Sequence, residues 1–145
     1  MDTILTQKEV KEIIQQFEAT IEPTNEEKNF RTAFPPKYCC DDGHMVRSMS
    51  EMVIDNWLYV SGVVHAYERK VPIEENMFCD FYIPKGNCYL EYWGLDDDKY
   101  RNRKKDKLKL YKKYSLKLIS VDFNDIKKLD DVLPEKLRNF NINVQ

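Results

Sequence analysis

Two acidic side chains lie in segments whose other residues are mostly apolar or aromatic. Asp80 lies within MFCDFYI at 77–83, and Glu91 lies within NCYLEYW at 87–93. Segments of this composition predict β-strands. The sequence Pro-Lys-Gly at 84–86 predicts a short, hairpin-like connection between them.

The pairing of these two acids indicates a cation site. A carboxylate in an apolar setting is costly unless it is paired or binds a cation. Side chains alternate across a strand, so Asp80 and Glu91, on neighbouring strands, can meet on one side of a sheet. Oxygen ligands of this kind suit a hard cation such as Mg²⁺. The alternative is that each acid lies at an exposed strand edge.

The elements around the two acids predict an α/β fold with a mixed sheet, because helices and strands alternate along the chain. A helix over 46–61 carries apolar residues on two sides, which predicts burial between layers. The remaining predicted elements are strands near 63–71, 77–83 and 87–93, a basic helix over 97–114, a strand over 116–121, and one or two short helices within 123–139 with Pro134 at a start.

The first third of the chain is predicted to be an addition to this core. Residues 6–20 have the apolar spacing of a helix, and residues 22–44 are rich in turn-forming residues and predict an irregular segment. We therefore divide the chain into an N-terminal helix and irregular segment over 1–44, packing on the core, and a domain over 45–145. The N-terminal helix either packs on the core or forms a homodimer interface.

The charge is unevenly distributed. The net charge is only -2, yet Lys99 to Lys113 contain nine basic residues and one acidic residue, Asp106. A concentrated basic segment on an acidic body suits a polyanionic partner. The alternative is a solvated helix face.

The arrangement resembles the PD-(D/E)XK nuclease superfamily over about residues 45–121. Asp80 in CDFYIP, the hairpin, and Glu91 in YLEYWG resemble its core motif, and Glu51 in VRSMSEMVIDNWL looks like the acid of its first helix. The chain is similar to small stand-alone members and to nuclease domains fused to superfamily 1 helicases. The resemblance implies a restriction-endonuclease-like αβββαβ core that hydrolyses phosphodiester bonds in DNA with Mg²⁺ or Mn²⁺. A helicase or other DNA-processing protein is an expected partner.

One position departs from the family pattern. The usual lysine two residues after the glutamate is replaced by Trp93. At 100° per residue, Lys107 falls on the same line of the basic helix as Tyr100, Tyr111 and Tyr114, which should face the sheet. In the resembling branch the lysine migrates to this helix, with a tyrosine seven residues before it. Lys107 is the first candidate and Lys104 the second; the alternative is a lysine that only packs its stem along the stripe.

The resemblance and the chemistry assign roles to the site. Asp80, Glu91 and the carbonyl of Tyr92 would hold the metal, and Glu51 would hold a second metal or a metal-bound water. Lys107 would orient the attacking water or stabilise developing negative charge. We expect alanine at Lys107 to abolish most cleavage and leave folding and Mg²⁺ binding largely intact. The DNA backbone would be bound by the cations Lys99, Arg101, Arg103 and Lys104.

The histidines and cysteines carry no predicted role. His44 and His65 are isolated in the sequence, and the spacing of the four cysteines does not suit zinc, so we interpret the cysteines as reduced thiols. No apolar run approaches the ~20 residues that span a bilayer, and no secretory signal begins the chain, so we expect a cytoplasmic protein with no membrane contact.

Two alternative functions stay open. Trp93 in place of lysine also fits a catalytically decayed nuclease-fold module that binds nucleic acid or a partner protein without cleavage. A further alternative is an accessory protein that acts through its N-terminal helix.

Overall fold

A computed structural model describes residues 35–94 and 98–144. The helix predicted over 6–20 lies outside these residues. Within them the order of elements is two short strands, a helix, three strands, a helix, a strand and a helix.

The main sheet has four strands, in the order β3 (Ala66–Tyr67), β4 (Phe81–Ile83), β5 (Cys88–Gly94) and β6 (Lys117–Asp122). The first two pairings are antiparallel and the β5–β6 pairing is parallel, so the predicted mixed sheet is confirmed. The parallel pair needs a crossover, which the helix α2 (Asp98–Lys113) provides.

Helix α1 (Met49–Val60) begins where the Ser48 side chain accepts a hydrogen bond from the amide of Glu51. Ile54 and Leu58 are fully buried, whereas Met49 and Val60 are 59% and 76% exposed. The expectation of burial on two sides is therefore wrong. The Ile54–Leu58 side packs into the core, whereas the second apolar side is exposed at Met49, Val53 and Val60 and contacts the core through Trp57.

The sheet separates two clusters of buried side chains. On one face α1 and α3 (Leu129–Arg138) cover the larger cluster, which includes Ile54, Phe81, Leu90, Ile119 and Leu133. On the other face α2 covers a smaller cluster made of Val71, Met77, Cys79, Tyr89 and Tyr111. Alternation along β5 sends Leu90 to the first cluster and Tyr89 to the second, so each face of this strand is covered.

The C-terminal region differs from its prediction at Pro134. A 3₁₀ helix spans Phe123–Lys128, and α3 follows it with Pro134 inside the helix rather than at a start. Leu129, Leu133 and Leu137 are all buried at four-residue spacing. This continuous apolar stripe holds the helix across the proline, whose missing N–H removes one backbone hydrogen bond.

The segment predicted to be irregular contains a small hairpin. β1 (Tyr38–Cys39) pairs antiparallel with β2 (Met45–Val46), which corrects the prediction for 35–44. The turn between the strands is held by the amide of Asp41, which donates to the Asn56 side chain on α1 at 2.8 Å. The hairpin is thus fixed against the first helix.

The four cysteines are free thiols, of which only Cys39 is exposed. Among the described residues, no helix combines the length and the apolar character needed to cross a membrane.

Candidate active site

Asp80 immediately precedes β4 and lies beside β5. Phe81 pairs with Leu90, so the antiparallel register carried back by one residue places Asp80 opposite Glu91. The Oδ2 atom of Asp80 accepts a hydrogen bond from the amide of Tyr92 at 2.8 Å. The backbone of β5 therefore holds the Asp80 carboxylate at the end of the sheet.

Glu91 is a buried carboxylate with two donors from α2. It is 1% exposed. Lys107 Nζ donates to Oε1 at 2.9 Å, and Tyr111 OH donates to Oε2 at 2.6 Å. Lys107 and Tyr111 are four residues apart, so they project from the same face of α2. The helical stripe identified in the sequence thus contacts the second acid of the strand pair.

Burial raises the pKa of Glu91, and the neighbouring Asp80 raises it further, whereas Lys107 opposes both. Burial and the second carboxylate therefore both disfavour the charged form of Glu91. A bound cation would favour the charged form, because a buried anion is stabilised by an opposite charge within a few ångströms.

Glu51 is buried in the first turn of α1, 6% exposed. Its Oε1 accepts from Ser48 Oγ at 3.1 Å and its Oε2 accepts from Tyr67 OH at 3.2 Å. Burial, together with the charges of Asp80 and Glu68, raises the pKa of Glu51 to about 8. Glu51 therefore lies within the electrostatic field of Asp80 and points away from solvent.

Glu68 is the fourth acid of this region, and it has its own cation. Arg47, 8% exposed, donates from Nε to Glu68 Oε1 at 2.5 Å and from a terminal nitrogen to Oε2 at 3.1 Å. The backbone amide of Glu68 donates to the carbonyl of Asp80 at 2.9 Å. The Arg47–Glu68 ion pair thus connects the residue before the N-cap of α1 to the segment that pairs with Asp80.

The two candidate lysines have different environments. Lys107 is 4% exposed and contacts Glu91, whereas Lys104 is exposed and lies over the Trp93 ring, 5.4 Å from its centroid. Lys105 and Lys109 are exposed as expected. The position of Lys107 therefore suits a role at the acids, and the position of Lys104 suits contact with a partner.

The predicted backbone-binding cations lie along α2. Arg101 is exposed, Arg103 is partly exposed, and the side chain of Lys99 lies outside what the structure describes. Tyr92 contacts Asp80 through its amide. The role of its carbonyl as a metal ligand stays a prediction.

A second cluster was missed by the sequence analysis. It consists of Asp42, His44, Asp55 and His65, whose potential metal-ligand atoms all lie within 4.8 Å of one another. Within residues 35–94 and 98–144, no other set of three or more such residues meets this criterion. The three carboxylates of Glu51, Asp80 and Glu91 do not form such a group. The signal in the sequence was Asp-Asp-Gly-His at 41–44, where a turn brings an acid and a histidine together.

Comparisons with protein-family models, with curated proteins and with solved structures found no match to this chain.

Proposed function

We propose that this chain is a metal-dependent nuclease that hydrolyses phosphodiester bonds in DNA on a restriction-endonuclease-like αβββαβ core. One observation carries the proposal: the antiparallel β4–β5 register, continued one residue before β4, brings Asp80 opposite Glu91, and the ammonium of Lys107 contacts Glu91 at 2.9 Å. The order of the elements and the antiparallel–antiparallel–parallel sheet support it.

The acids retain the capacity to bind a hard cation. A carboxylate has about four lone-pair positions. Glu91 receives donors from Lys107 and Tyr111, and Asp80 receives the amide of Tyr92. Mg²⁺ is commonly held by one or two carboxylates together with substrate phosphate and water. Asp80 and Glu91 would hold Mg²⁺ or Mn²⁺ in this way, and Glu51 would hold a second metal or a metal-bound water.

The bound metal would polarise the scissile phosphate and lower the pKa of a bound water. The protein would supply a fixed positive charge through Lys107. Because Lys107 is held by Glu91 in a buried setting, its charge is poorly screened, and it would stabilise negative charge that develops on the phosphate. Ser48 and Tyr67 would hold Glu51 in orientation through their hydroxyl groups.

The outer face of α2 would bind the DNA backbone. The helix that carries Lys107 would therefore also position the DNA. Its exposed cations include Arg101, Lys104, Lys105, Lys109 and Lys112. Contacts of this kind fix register and orientation and carry no sequence information.

A binding module without cleavage is the second candidate, and a specific observation favours it. Glu91 and Lys107 are 1% and 4% exposed and neutralise each other, while Trp93 occupies the usual lysine position. A decayed site would keep this ion pair for stability and retain only the basic face of α2. Such a module would bind DNA without cutting it.

The two candidates predict different gel results. We expect the full chain to cleave plasmid or linear DNA in Mg²⁺ or Mn²⁺ and to leave it intact in EDTA. Supercoiled, linear and single-stranded substrates, run in parallel with mobility-shift gels at two salt concentrations, separate cutting from binding. Salt-sensitive binding with no cleavage in either metal would contradict the nuclease proposal and support the binding module.

A further inference from the structure

The turn between β1 and β2 meets α1 and the segment before β3 at a cluster of two aspartates and two histidines. Asp42 and His44 come from the turn, Asp55 from α1, and His65 from the segment that leads into β3. These elements are brought together only by the tertiary fold, and their ligand atoms all lie within 4.8 Å of one another.

The four nitrogen–oxygen distances across the cluster are nearly equal. His44 Nδ1 lies 3.0 Å from Asp42 Oδ2 and 2.9 Å from Asp55 Oδ2. His65 Nε2 lies 3.1 Å from each of the same two oxygens. One atom of each residue is thus directed at a common centre. Tetrahedral zinc with bonds of about 2.0–2.2 Å separates its ligand atoms by about 3.3–3.6 Å, so a small expansion would admit the ion.

The hydrogen bonding of His65 independently indicates a ligand. His65 Nδ1 lies 2.8 Å from the carbonyl of Val63, and a carbonyl can only accept, so Nδ1 carries a proton. Nε2 then offers its lone pair when the ring is neutral. This atom is buried, in a side chain that is 3% exposed, and it lies 3.1 Å from one oxygen of each aspartate without the alignment of a good hydrogen bond to either. An imidazole held through its other nitrogen by a backbone carbonyl is a common arrangement at metal sites.

The ligand types indicate which metal would bind. Two carboxylates and two neutral imidazoles carry a charge of minus two, which a divalent cation neutralises. Imidazole ligands suit zinc and its neighbours in the first transition series, whereas Mg²⁺ and Ca²⁺ prefer oxygen ligands alone. Four protein ligands with Asp55 fully buried describe a closed, structural site rather than an open catalytic one.

We propose that Asp42, His44, Asp55 and His65 bind one zinc ion that joins the β1–β2 turn to α1 and to the approach to β3. The ion would stabilise the position of α1, whose residue Glu51 lies one helical turn before Asp55. The inference does not depend on nuclease activity, because its readouts are metal content and thermal stability.

Adjacent aspartates in the turn provide a matched pair of variants. Asp42 belongs to the cluster, whereas Asp41 is exposed and contacts Asn56 through its backbone amide. In Asp42→Asn the side-chain oxygen can still accept the hydrogen bond that His44 N donates to Asp42 Oδ1, so the turn is retained. Asp41→Asn makes the same chemical change outside the cluster.

The test is calorimetric titration of the full, EDTA-treated chain with Zn²⁺ alone, together with thermal unfolding. We expect one zinc per chain in wild type and Asp41→Asn, and affinity weakened by at least roughly 10- to 100-fold in Asp42→Asn and His44→Ala. Zinc at about 100 times its Kd should raise the Tm of wild type by about 5–10 °C. Wild type that binds no zinc, or Asp42→Asn that binds as tightly as Asp41→Asn, would overturn the proposal.

Thiols are the competing zinc ligands in this region, since Cys39 and Cys40 precede the turn. The double variant Cys39→Ser/Cys40→Ser keeps the four proposed ligands and should retain the wild-type stoichiometry and affinity. Loss of zinc binding in that variant would assign the ion to the thiols and overturn the proposal.

Discussion

Replacing Lys107 with methionine is expected to slow cleavage at saturating DNA by about 100- to 1000-fold, the cost of removing one fixed donor from a developing negative charge. Methionine keeps an unbranched side chain of similar size, so the decrease in rate measures the effect of removing the ammonium group rather than a change in packing. Lys107 is the cation in contact with Glu91. Single-turnover rates at two saturating DNA concentrations measure the effect.

Lys109→Met is the matched control, because Lys109 lies two residues further along α2 and is exposed. It should weaken binding in a salt-dependent way and leave the saturated rate nearly unchanged. If Lys107→Met and Lys109→Met cleave equally fast, Lys107 has no catalytic role. Lys104, which lies over Trp93, would then be the next candidate.

The same Lys107→Met change is also expected to lower the free energy of unfolding by about 3–5 kcal/mol, because it leaves Glu91 buried without its cation. The sequence had led us to expect folding to be largely intact, and the buried ion pair changes that expectation. A domain of this kind has about 5–15 kcal/mol of stability, so the variant should still fold at low temperature for the cleavage assay. Urea denaturation measures the loss.

Replacing the whole network tests this explanation. Lys107→Met/Glu91→Leu/Tyr111→Phe removes the charges and the buried hydroxyl together, so Glu91 is not left as an unpaired buried charge. Such replacements are often neutral or stabilising. We expect the triple variant to recover most of the stability lost in Lys107→Met while remaining inactive. A loss below about 1 kcal/mol in Lys107→Met would instead resemble an exposed ion pair and contradict the buried network.

The relation between Asp80, Glu91 and Lys107 was accessible from the sequence because it depends on local periodicity. Two strands joined by a short connection can pair in few ways, and alternation then sets which side chains meet. The helical stripe through Lys107 and Tyr111 has a single face that can contact a sheet. Glu91 belongs to the strand pattern and accepts hydrogen bonds from Lys107 and Tyr111 of the helical stripe.

The strand lengths were not accessible, because tertiary contacts end the strands. The sequence VVHAYERKV has the composition of a long strand, yet β3 covers only Ala66–Tyr67. Glu68 follows with φ at 50°, in the left-handed region that extended backbone excludes. Its side chain pairs with Arg47, twenty-one residues away. No local propensity reports such a contact.

The histidine–aspartate cluster was missed for the same reason. His44 and His65 are twenty-one residues apart and appear isolated in the chain, and Asp55 lies in the middle of a helix. Their convergence depends on how the β1–β2 turn packs on α1. The sequence of residues 41–44 predicts a loop, but it does not indicate which part of the protein the loop contacts.

The most direct test of the nuclease proposal is the cleavage rate of Asp80→Asn in Mg²⁺. The substitution keeps an oxygen that can accept the amide of Tyr92, so the local fold should be retained while the charge that would hold the metal is removed. Asp131→Asn, at an exposed position on α3, is the control. We predict that Asp80→Asn cleaves DNA no faster than wild type in EDTA, while Asp131→Asn cleaves at the wild-type rate. Folded Asp80→Asn that cleaves as fast as wild type would contradict the assignment of Asp80 and Glu91 as the catalytic centre.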